Sequence, residues 1–277
     1  NGYNLWDLYK KGQTPLEWHK ELFKYSQKKK IKIFSTPFSE EAVLFLEKLN
    51  CPAYKIASFE MNDYNLVKVA AKTKKPLILS TGMSIISEID KAVETAKKYG
   101  CKDLTLLYCV SNYPSNSSDF NLNFISEFKK KYKCNVGLSD HSLGSEIACY
   151  SLIAGATIFE KHIGLQSQKK GLDIEFSSIG KAFKVYINEI KRVNKLIENK
   201  KLKRSKAEQR NKILRRSVYA IQDIKKGEIF SKKNVKNFRP DMGLSASYFL
   251  DILGKKSPMN LRKNYPLPNS NILKKLK

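Results

Sequence analysis

The stretch Asn135-Val-Gly-Leu-Ser-Asp-His141 decides the fold, because a short apolar run ends in a histidine and the same pattern soon recurs. The second copy is Ala156-Thr-Ile-Phe-Glu-Lys-His162. Between the two runs, apolar residues recur at helical spacing up to Gly155, which predicts a helix that ends there. The order is therefore strand, helix, strand. In such a unit the strands run parallel, so both histidines emerge at the carboxyl end of the sheet, where α/β folds bind ligands.

The two histidines are candidate ligands of one divalent metal ion. A single histidine after a strand is more often a packing residue, but a matched pair at one sheet edge favours a metal site. The third histidine of the chain, His19, lies outside the paired motifs, and we interpret it as a packing residue. Asp140 precedes His141, and we interpret it as a helix cap or as a hydrogen-bond partner within the metal site.

The alternation of strands and helices extends over the first two thirds of the chain. Short continuous apolar runs predict six strands buried on both faces, at residues 31–35, 53–57, 76–80, 104–109, 135–138 and 157–160. Helical patterns fill the gaps at residues 40–49, 64–73, 85–99, 122–132 and 146–154. Six βα units in a row without reversal predict either a (β/α) barrel or a doubly wound sheet.

The pattern changes towards the C-terminus. An amphipathic stretch at residues 181–196 runs into a charged segment, so we place a linker at residues 199–213, after a first domain of residues 1–198. Short β-like pieces broken by turns follow at residues 217–221, 227–230 and 235–238. Residues 214–277 are thus predicted to form a small, β-rich, basic domain.

Composition limits the class of protein. A chain of 277 residues with 42% apolar content can bury a sizeable core. No apolar run approaches the roughly 20 residues that a membrane-spanning helix needs, and no signal peptide is visible. These features predict a cytoplasmic protein without a membrane partner. The five cysteines are scattered and never form a C-x-x-C pair, which is typical of reduced, buried thiols.

The net charge of +26 is concentrated in the C-terminal part of the chain. Residues 200–277 carry 22 Lys and Arg against 5 Asp and Glu. Such a surplus is typical of nucleic-acid or anionic-surface binders. However, the lysines are mixed with asparagine, serine and isoleucine, and neither zinc-finger spacing nor alternation of aromatic and basic residues is present. Specific nucleic-acid binding is therefore not predicted.

Polar side chains follow four of the predicted strands. They are hydroxyls and one amine, at Thr36, Lys55, Ser58, Ser80 and Ser111. A single serine after a strand is more often a helix cap than a ligand. Four strand ends in succession, with Lys55 at the same edge, favour an anionic, phosphate-bearing ligand.

The motifs resemble those of the sialic acid synthase family. The barrel motifs are Ser35-Thr-Pro-Phe38, Tyr54-Lys-Ile-Ala-Ser-Phe-Glu60, Leu79-Ser-Thr-Gly-Met83, Gly137-Leu-Ser-Asp-His-Ser142 and Glu160-Lys-His162. Three segments of the C-terminal part resemble the family's antifreeze-like domain: Arg216-Ser-Val-Tyr-Ala-Ile-Gln-Asp-Ile-Lys-Lys-Gly-Glu228, Arg239-Pro240 and Leu253-Gly-Lys-Lys256. The pseudaminic acid synthase branch is most similar at Leu5-Trp-Asp-Leu-Tyr9, Thr14-Pro-Leu-Glu-Trp-His19, Phe59-Glu60, Ser111 and Tyr113-Pro114.

The resemblance implies an enzyme that condenses phosphoenolpyruvate with an N-acylated amino sugar and releases phosphate. For this branch the sugar is a diacetamido-trideoxy hexose and the product is a nonulosonic acid such as pseudaminic acid. The implied cofactor is a divalent metal, manganese first, with magnesium or cobalt as alternatives. The implied assembly is a homodimer in which the C-terminal domain swaps over the partner subunit.

The resemblance also implies roles for individual residues. The metal ligands are His141 and His162, which with Lys55 form the catalytic set. The phosphoenolpyruvate contacts are Thr36, Lys55, Ser58, Ser80 and Ser111, and the sugar contacts are Glu60, Tyr113, Asp173 and Arg239. Leu172 stands where the family usually has proline, so the loop that carries Asp173 can differ in shape.

The family fold is a (β/α)8 barrel, and its first two strands, with an acidic residue and a lysine, have no counterpart in this sequence. We therefore expect an N-terminally incomplete barrel that lacks synthase activity on its own. The alternatives are a sialic or legionaminic acid synthase of the same family, and a catalytically incomplete chain that acts only as a basic binding module. A phosphate-release assay separates the synthases from the binding module.

Overall fold

The computed structural model describes residues 4–198 and 204–269. Residues 1–3 of the predicted barrel, 199–203 of the predicted linker and 270–277 of the predicted C-terminal domain lie outside this range. The chain divides into two compact units, Asn1–Glu198 and Asn199–Lys277. In the described part of the chain, no helix is long and apolar enough to cross a membrane.

The first unit alternates helices and strands from residue 40 to residue 161, as predicted. Its elements are α1 (Leu5–Gly12), α2 (Leu16–Lys29), α3 (Glu40–Lys48), β1 (Tyr54–Ile56), α4 (Tyr64–Lys72), β2 (Leu77–Ser80), α5 (Ile86–Lys98), β3 (Leu104–Cys109), α6 (Asn123–Tyr132), β4 (Asn135–Asp140), α7 (Glu146–Ile153), β5 (Ile158–Lys161), β6 (Ile163–Gly164), β7 (Ser178–Ile179) and α8 (Lys181–Ile197). The helices α1 and α2 and the strands β6 and β7 were not predicted. The apolar faces of the helices pack against the strands. Buried residues of both the strands and the helices form one hydrophobic core between them.

The five strands β1 to β5 form one parallel sheet in the order of the chain. A doubly wound sheet would reverse its strand order at a switch point, whereas a barrel adds each strand beside the previous one. The consecutive order therefore selects the barrel-type arrangement from the two predicted. All carboxyl ends of these strands lie at one edge of the sheet.

The prediction of a strand at residues 31–35 is wrong, because this segment is extended but joins no ladder. A strand needs a partner for its backbone groups, and an apolar run reports burial rather than pairing. Even the burial is incomplete, since Ile31 is 66% exposed and Phe34 is 39% exposed. The segment contacts α2 instead, where His19 Nε2 lies 3.3 Å from Ser35 Oγ.

Gly137 brings β4 and β5 into close contact. A Cβ atom at this position would lie 2.3 Å from the backbone oxygen of Ile158. Any other residue would push the two strands apart, so glycine is required by the close approach. The ends of the same two strands carry His141 and His162.

The second unit is small and β-containing, as predicted. Its elements are α9 (Lys206–Arg210), β8 (Ser217–Ala220), β9 (Val235–Phe238) and α10 (Phe249–Ile252). Strands β8 and β9 are antiparallel. The predicted strand at residues 227–230 is wrong, because its backbone pairs with residues 254–257 around an isolated bridge between Ile229 and Lys256 rather than in a ladder.

Candidate active site at the carboxyl end of the sheet

The structure brings His141 and His162 together. Their ring centroids lie 5.4 Å apart. Two aromatic side chains pack beside them: the ring of Tyr113 lies 4.2 Å from that of His141, and the ring of Phe176 lies 5.0 Å from that of His162. The strand, helix and strand predicted from the sequence thus place both imidazoles at one edge of the sheet, where they pack against two aromatic rings.

The contacts at Nδ1 indicate which nitrogen of each ring is free. The Nδ1 atom of His141 lies 3.0 Å from the backbone oxygen of Val110, which can only accept, so Nδ1 carries the proton. Nδ1 of His162 lies 3.3 Å from Asp173 Oδ2, which orients that ring in the same way. Burial lowers the pKa of both histidines, which favours neutral rings. Each Nε2 atom therefore keeps a lone pair for a ligand.

These two histidines fit a divalent metal. Metal-binding histidines usually donate the other ring N–H to a carbonyl or a carboxylate; His141 does so here, and Nδ1 of His162 lies within ion-pair distance of the Asp173 carboxylate. Among the described residues, no group of three or more His, Cys, Asp and Glu side chains is arranged to hold a metal. Two protein ligands would leave positions for substrate oxygen and water, which gives a mixed set of nitrogen and oxygen ligands.

Lys55 reaches the same place from β1. Its Nζ atom lies 3.5 Å from Glu160 Oε1, and its side chain is 11% exposed. Ser139 Oγ donates to the same Glu160 oxygen at 2.7 Å. Sequence reasoning missed Ser139 and Glu160 as site residues. The available signal was strand alternation, because each lies two residues before a histidine and so shares its face.

The hydroxyls at the strand ends converge around Gly82. The Gly82 N–H donates to Ser58 Oγ at 3.2 Å. A Cβ atom at Gly82 would lie 2.1 Å from Ser111 Oγ, so a larger residue would displace the serine hydroxyls from their present positions. Ser80 Oγ is buried and has no hydrogen-bond partner among the described residues. A buried hydroxyl without a partner is an available donor for a bound ligand.

The residues predicted to face the sugar are divided between the two units. Burial raises the pKa of Tyr113 to about 12, so this hydroxyl stays protonated at neutral pH. Asp173 is held at His162, and Thr36 lies half-buried in the extended segment before α3. Arg239 belongs to the second unit, where it follows β9 directly and is exposed.

Glu60 lies in a 3-10 turn, Ser58–Glu60, directly after β1. Its Oε2 atom is buried and has no hydrogen-bond partner within the described residues. Burial raises the pKa of this carboxyl, and the nearby charge of Lys55 opposes that rise. The fold thus favours the protonated form of Glu60.

Glu60→Gln is expected to raise the thermal midpoint at pH 7.5 by on the order of 2 °C. A raised pKa means that protonated Glu60 stabilises the fold at low pH and that this stabilisation is lost as pH rises through the folded-state pKa. Glutamine stays neutral, so the difference should shrink towards pH 4. Differential scanning calorimetry at several pH values measures it, with the exposed Glu94→Gln as control. A lower midpoint for Glu60→Gln at pH 7.5 would contradict this account.

Comparison with known proteins identifies both units. The NeuB family pattern matches residues 1–202, and the SAF domain pattern matches residues 215–273. Pseudaminic acid synthase of Helicobacter pylori is 40% identical over 274 residues, which cover 99% of this chain and 81% of that protein. N,N'-diacetyllegionaminic acid synthase of Campylobacter jejuni is 36% identical, covering 93% of this chain and 78% of that protein.

A solved structure agrees with these matches. The N-acetylneuraminic acid synthetase of Leptospira borgpetersenii superposes with a TM-score of 0.67 at 35% identity, covering 72% of this chain and 70% of that chain. The matches confirm the predicted barrel-type fold, the C-terminal domain and the enzyme class, a synthase that forms a carbon–carbon bond. Because the family pattern spans residues 1–202 and a 40% identical relative matches almost the whole sequence, the chain belongs to the NeuB family.

Proposed function

We propose that the chain forms part of a synthase that condenses phosphoenolpyruvate with an N-acylated diacetamido-trideoxy hexose to give a nonulosonic acid such as pseudaminic acid, with release of phosphate. The observation that carries the proposal is the convergence of Lys55, His141 and His162 at the carboxyl end of one parallel sheet. The 40% identity to a pseudaminic acid synthase supports this product. A legionaminic acid product is the second candidate, favoured by the 36% identical relative.

The phosphoenolpyruvate would be held by one amine and a set of hydroxyls. These residues are Thr36, Lys55, Ser58, Ser80 and Ser111. Lys55 supplies the positive charge that offsets the phosphate and carboxylate groups, and Glu160 orients its amine from 3.5 Å. The hydroxyl of Ser80, which has no partner in the described part of the chain, and the hydroxyls of Ser58 and Ser111 beside Gly82 can donate to the ligand from their present positions. Donors that are already in place favour tight and oriented binding.

The sugar would lie on the side of the histidines. Glu60, Tyr113 and Asp173 face it, and the protonated Tyr113 hydroxyl can donate to a sugar oxygen. Bound by His141 and His162, a divalent ion such as Mn²⁺ would supply Lewis-acid polarisation of the sugar's aldehyde carbonyl. The rings of Tyr113 and Phe176 pack against the two imidazoles and form one wall of this region.

Phosphate release is the direct test of this function. The chain is incubated with phosphoenolpyruvate, Mn²⁺ and each of three N-acylated amino sugars, the precursors of pseudaminic, legionaminic and sialic acids. In a version that also carries the two N-terminal strands of the family fold, we expect phosphate release that depends on sugar and metal and is fastest with the pseudaminic precursor. The 277-residue chain tested alone is expected to release none. Salt-sensitive binding to nucleic acid without turnover would instead support the basic binding module.

We also propose that Arg239 acts in trans within a homodimer, where its planar guanidinium binds the sugar's N-acyl group. Arg239→Ala should raise the KM for the sugar more than tenfold, whereas the exposed Arg262→Ala should leave it unchanged. At a sugar concentration far below this raised KM, where each variant alone is nearly inactive, coexpression of Arg239→Ala with His141→Ala should restore about a quarter of the activity, because half of the dimers then contain one intact site. A monomeric protein, or an unchanged sugar KM in Arg239→Ala, would contradict the trans arrangement.

A further inference from the structure

A buried ion pair joins the ends of β4 and β5. Asp140 Oδ2 lies 3.3 Å from Lys161 Nζ, and the two side chains are 0% and 4% exposed. The other carboxylate oxygen, Oδ1, accepts from the Ser142 N–H at 2.9 Å and from Ser142 Oγ at 2.6 Å. Lys161 Nζ also donates to the backbone oxygen of Ser142. Three residues thus form one polar network that connects two strand ends, in which, among the described residues, Asp140 Oδ2 is held by the ion pair without a hydrogen bond.

Stability alone does not account for this network. Burying two charges removes both from water, and well-packed apolar side chains of similar size are often equally stable or more stable. Tyr186 of α8 packs over the pair, with Lys161 Nζ 5.4 Å from its ring centroid, and the charged side chains have little contact with solvent. What the pair supplies, and an apolar pair would not, is a fixed direction and distance between two backbones.

The pair stands directly beside the histidines in the chain. The register of β4 and β5 places Asp140 opposite Lys161. His141 and His162 are the next residues, so strand alternation turns their side chains to the other face of the sheet. Any change in the separation or twist of the two strand ends therefore changes the relation of the two imidazoles, whose centroids lie 5.4 Å apart.

We propose that the Asp140–Lys161 pair is a positioning element that sets the spacing and orientation of His141 and His162, and through them the affinity of the site for Mn²⁺. The inference rests on the metal role in the proposed function. Asp140 and Lys161 touch neither substrate nor metal in this arrangement. Their effect on the site passes through the backbone of the residue that follows each of them.

The test replaces the pair by apolar side chains in the 277-residue chain, as Asp140→Leu/Lys161→Met. The electron paramagnetic resonance signal of free Mn²⁺ gives the Kd, and thermal melting monitors the fold. We expect a cooperatively melting protein whose Kd for Mn²⁺ is weaker by about tenfold or more, as for other residues that orient metal ligands. The visible spectrum of bound Co²⁺ should also change, because it reports ligand geometry.

Two further variants keep the test decisive. Lys75→Met removes a second ion pair, 2.5 Å from Glu47, and should leave the Mn²⁺ affinity unchanged. Ser142→Ala removes a single hydrogen bond to Asp140 and should weaken Mn²⁺ binding by about threefold. This milder variant tests the proposal if the double variant does not fold.

A folded double variant with the unsubstituted Kd would overturn the positioning role. So would an unchanged Kd in Ser142→Ala if the double variant fails to fold. Absence of Mn²⁺ binding by the unsubstituted chain would overturn the metal part of the proposed function together with this inference. If the unsubstituted chain binds Mn²⁺ and the variants bind it equally well, only the positioning role is overturned and the metal site stands.

Discussion

Replacing His141 or His162 by alanine is expected to lower the rate of metal-dependent turnover by a factor of about 10³ or more. The reason is that several kcal/mol of charge stabilisation would be lost with the metal. The fold should persist. His162 is partly exposed, and its Nδ1 lies beside the exposed carboxylate of Asp173, so loss of the ring leaves no buried polar group behind at this contact. Equilibrium dialysis with Mn²⁺, coupled to the phosphate-release assay, measures both metal stoichiometry and turnover.

The third histidine provides the matched control. His19 is buried, lies 3.1 Å from the backbone oxygen of Pro15 and packs edge-on against Phe45. His19→Gln should therefore lower the thermal midpoint and leave metal stoichiometry unchanged. Retention of the full metal stoichiometry in both His141→Ala and His162→Ala would refute the metal site.

Lys55→Met is expected to lower kcat/KM for phosphoenolpyruvate by about 10²- to 10³-fold, mainly through a higher KM. The side chain is 11% exposed, so a solvent cation cannot readily replace the lost charge. The substitution also leaves Glu160 without its amine partner, and an unpaired carboxylate would repel the phosphate group of the substrate. Steady-state kinetics with each substrate varied in turn separates the two KM values.

Lys75→Met is the appropriate comparison for Lys55→Met, since it also removes a lysine that pairs with a glutamate. Its kinetics should match those of the unsubstituted chain. If Lys55→Met changed the KM for the sugar while leaving the KM for phosphoenolpyruvate unaltered, Lys55 would belong to the sugar side of the site and the assignment would be wrong.

Five of the six predicted strands of the sheet form where the sequence indicated, within a few residues. They were predictable because strands covered on both faces give continuous apolar runs. The strand predicted at residues 31–35 does not form. The run is apolar, but its backbone has no ladder partner among the described strands. Hydrogen-bond pairing is a long-range property, and local hydrophobicity does not encode it.

The candidate site was predictable to the same extent. His141 and His162 follow strands in a parallel unit, so their proximity follows from topology alone. Glu160 was missed because its contact with Lys55 joins β5 to β1, which are four strands apart in chain order. Gly82 was missed because its role is to leave room for Ser58 and Ser111, which is visible only once three loops are placed together.

The consecutive strand order also determines when the site can come into being during synthesis. Each strand of the sheet pairs with the one made just before it, across roughly 20 to 30 residues, so the contacts form locally as the chain lengthens. The strands that carry Lys55, Ser80 and Ser111 at their ends can associate before β5 has been made. His141 meets His162 only when β5 docks, so a nascent chain that stops short of residue 162 would hold the anion-binding groups without the paired imidazoles.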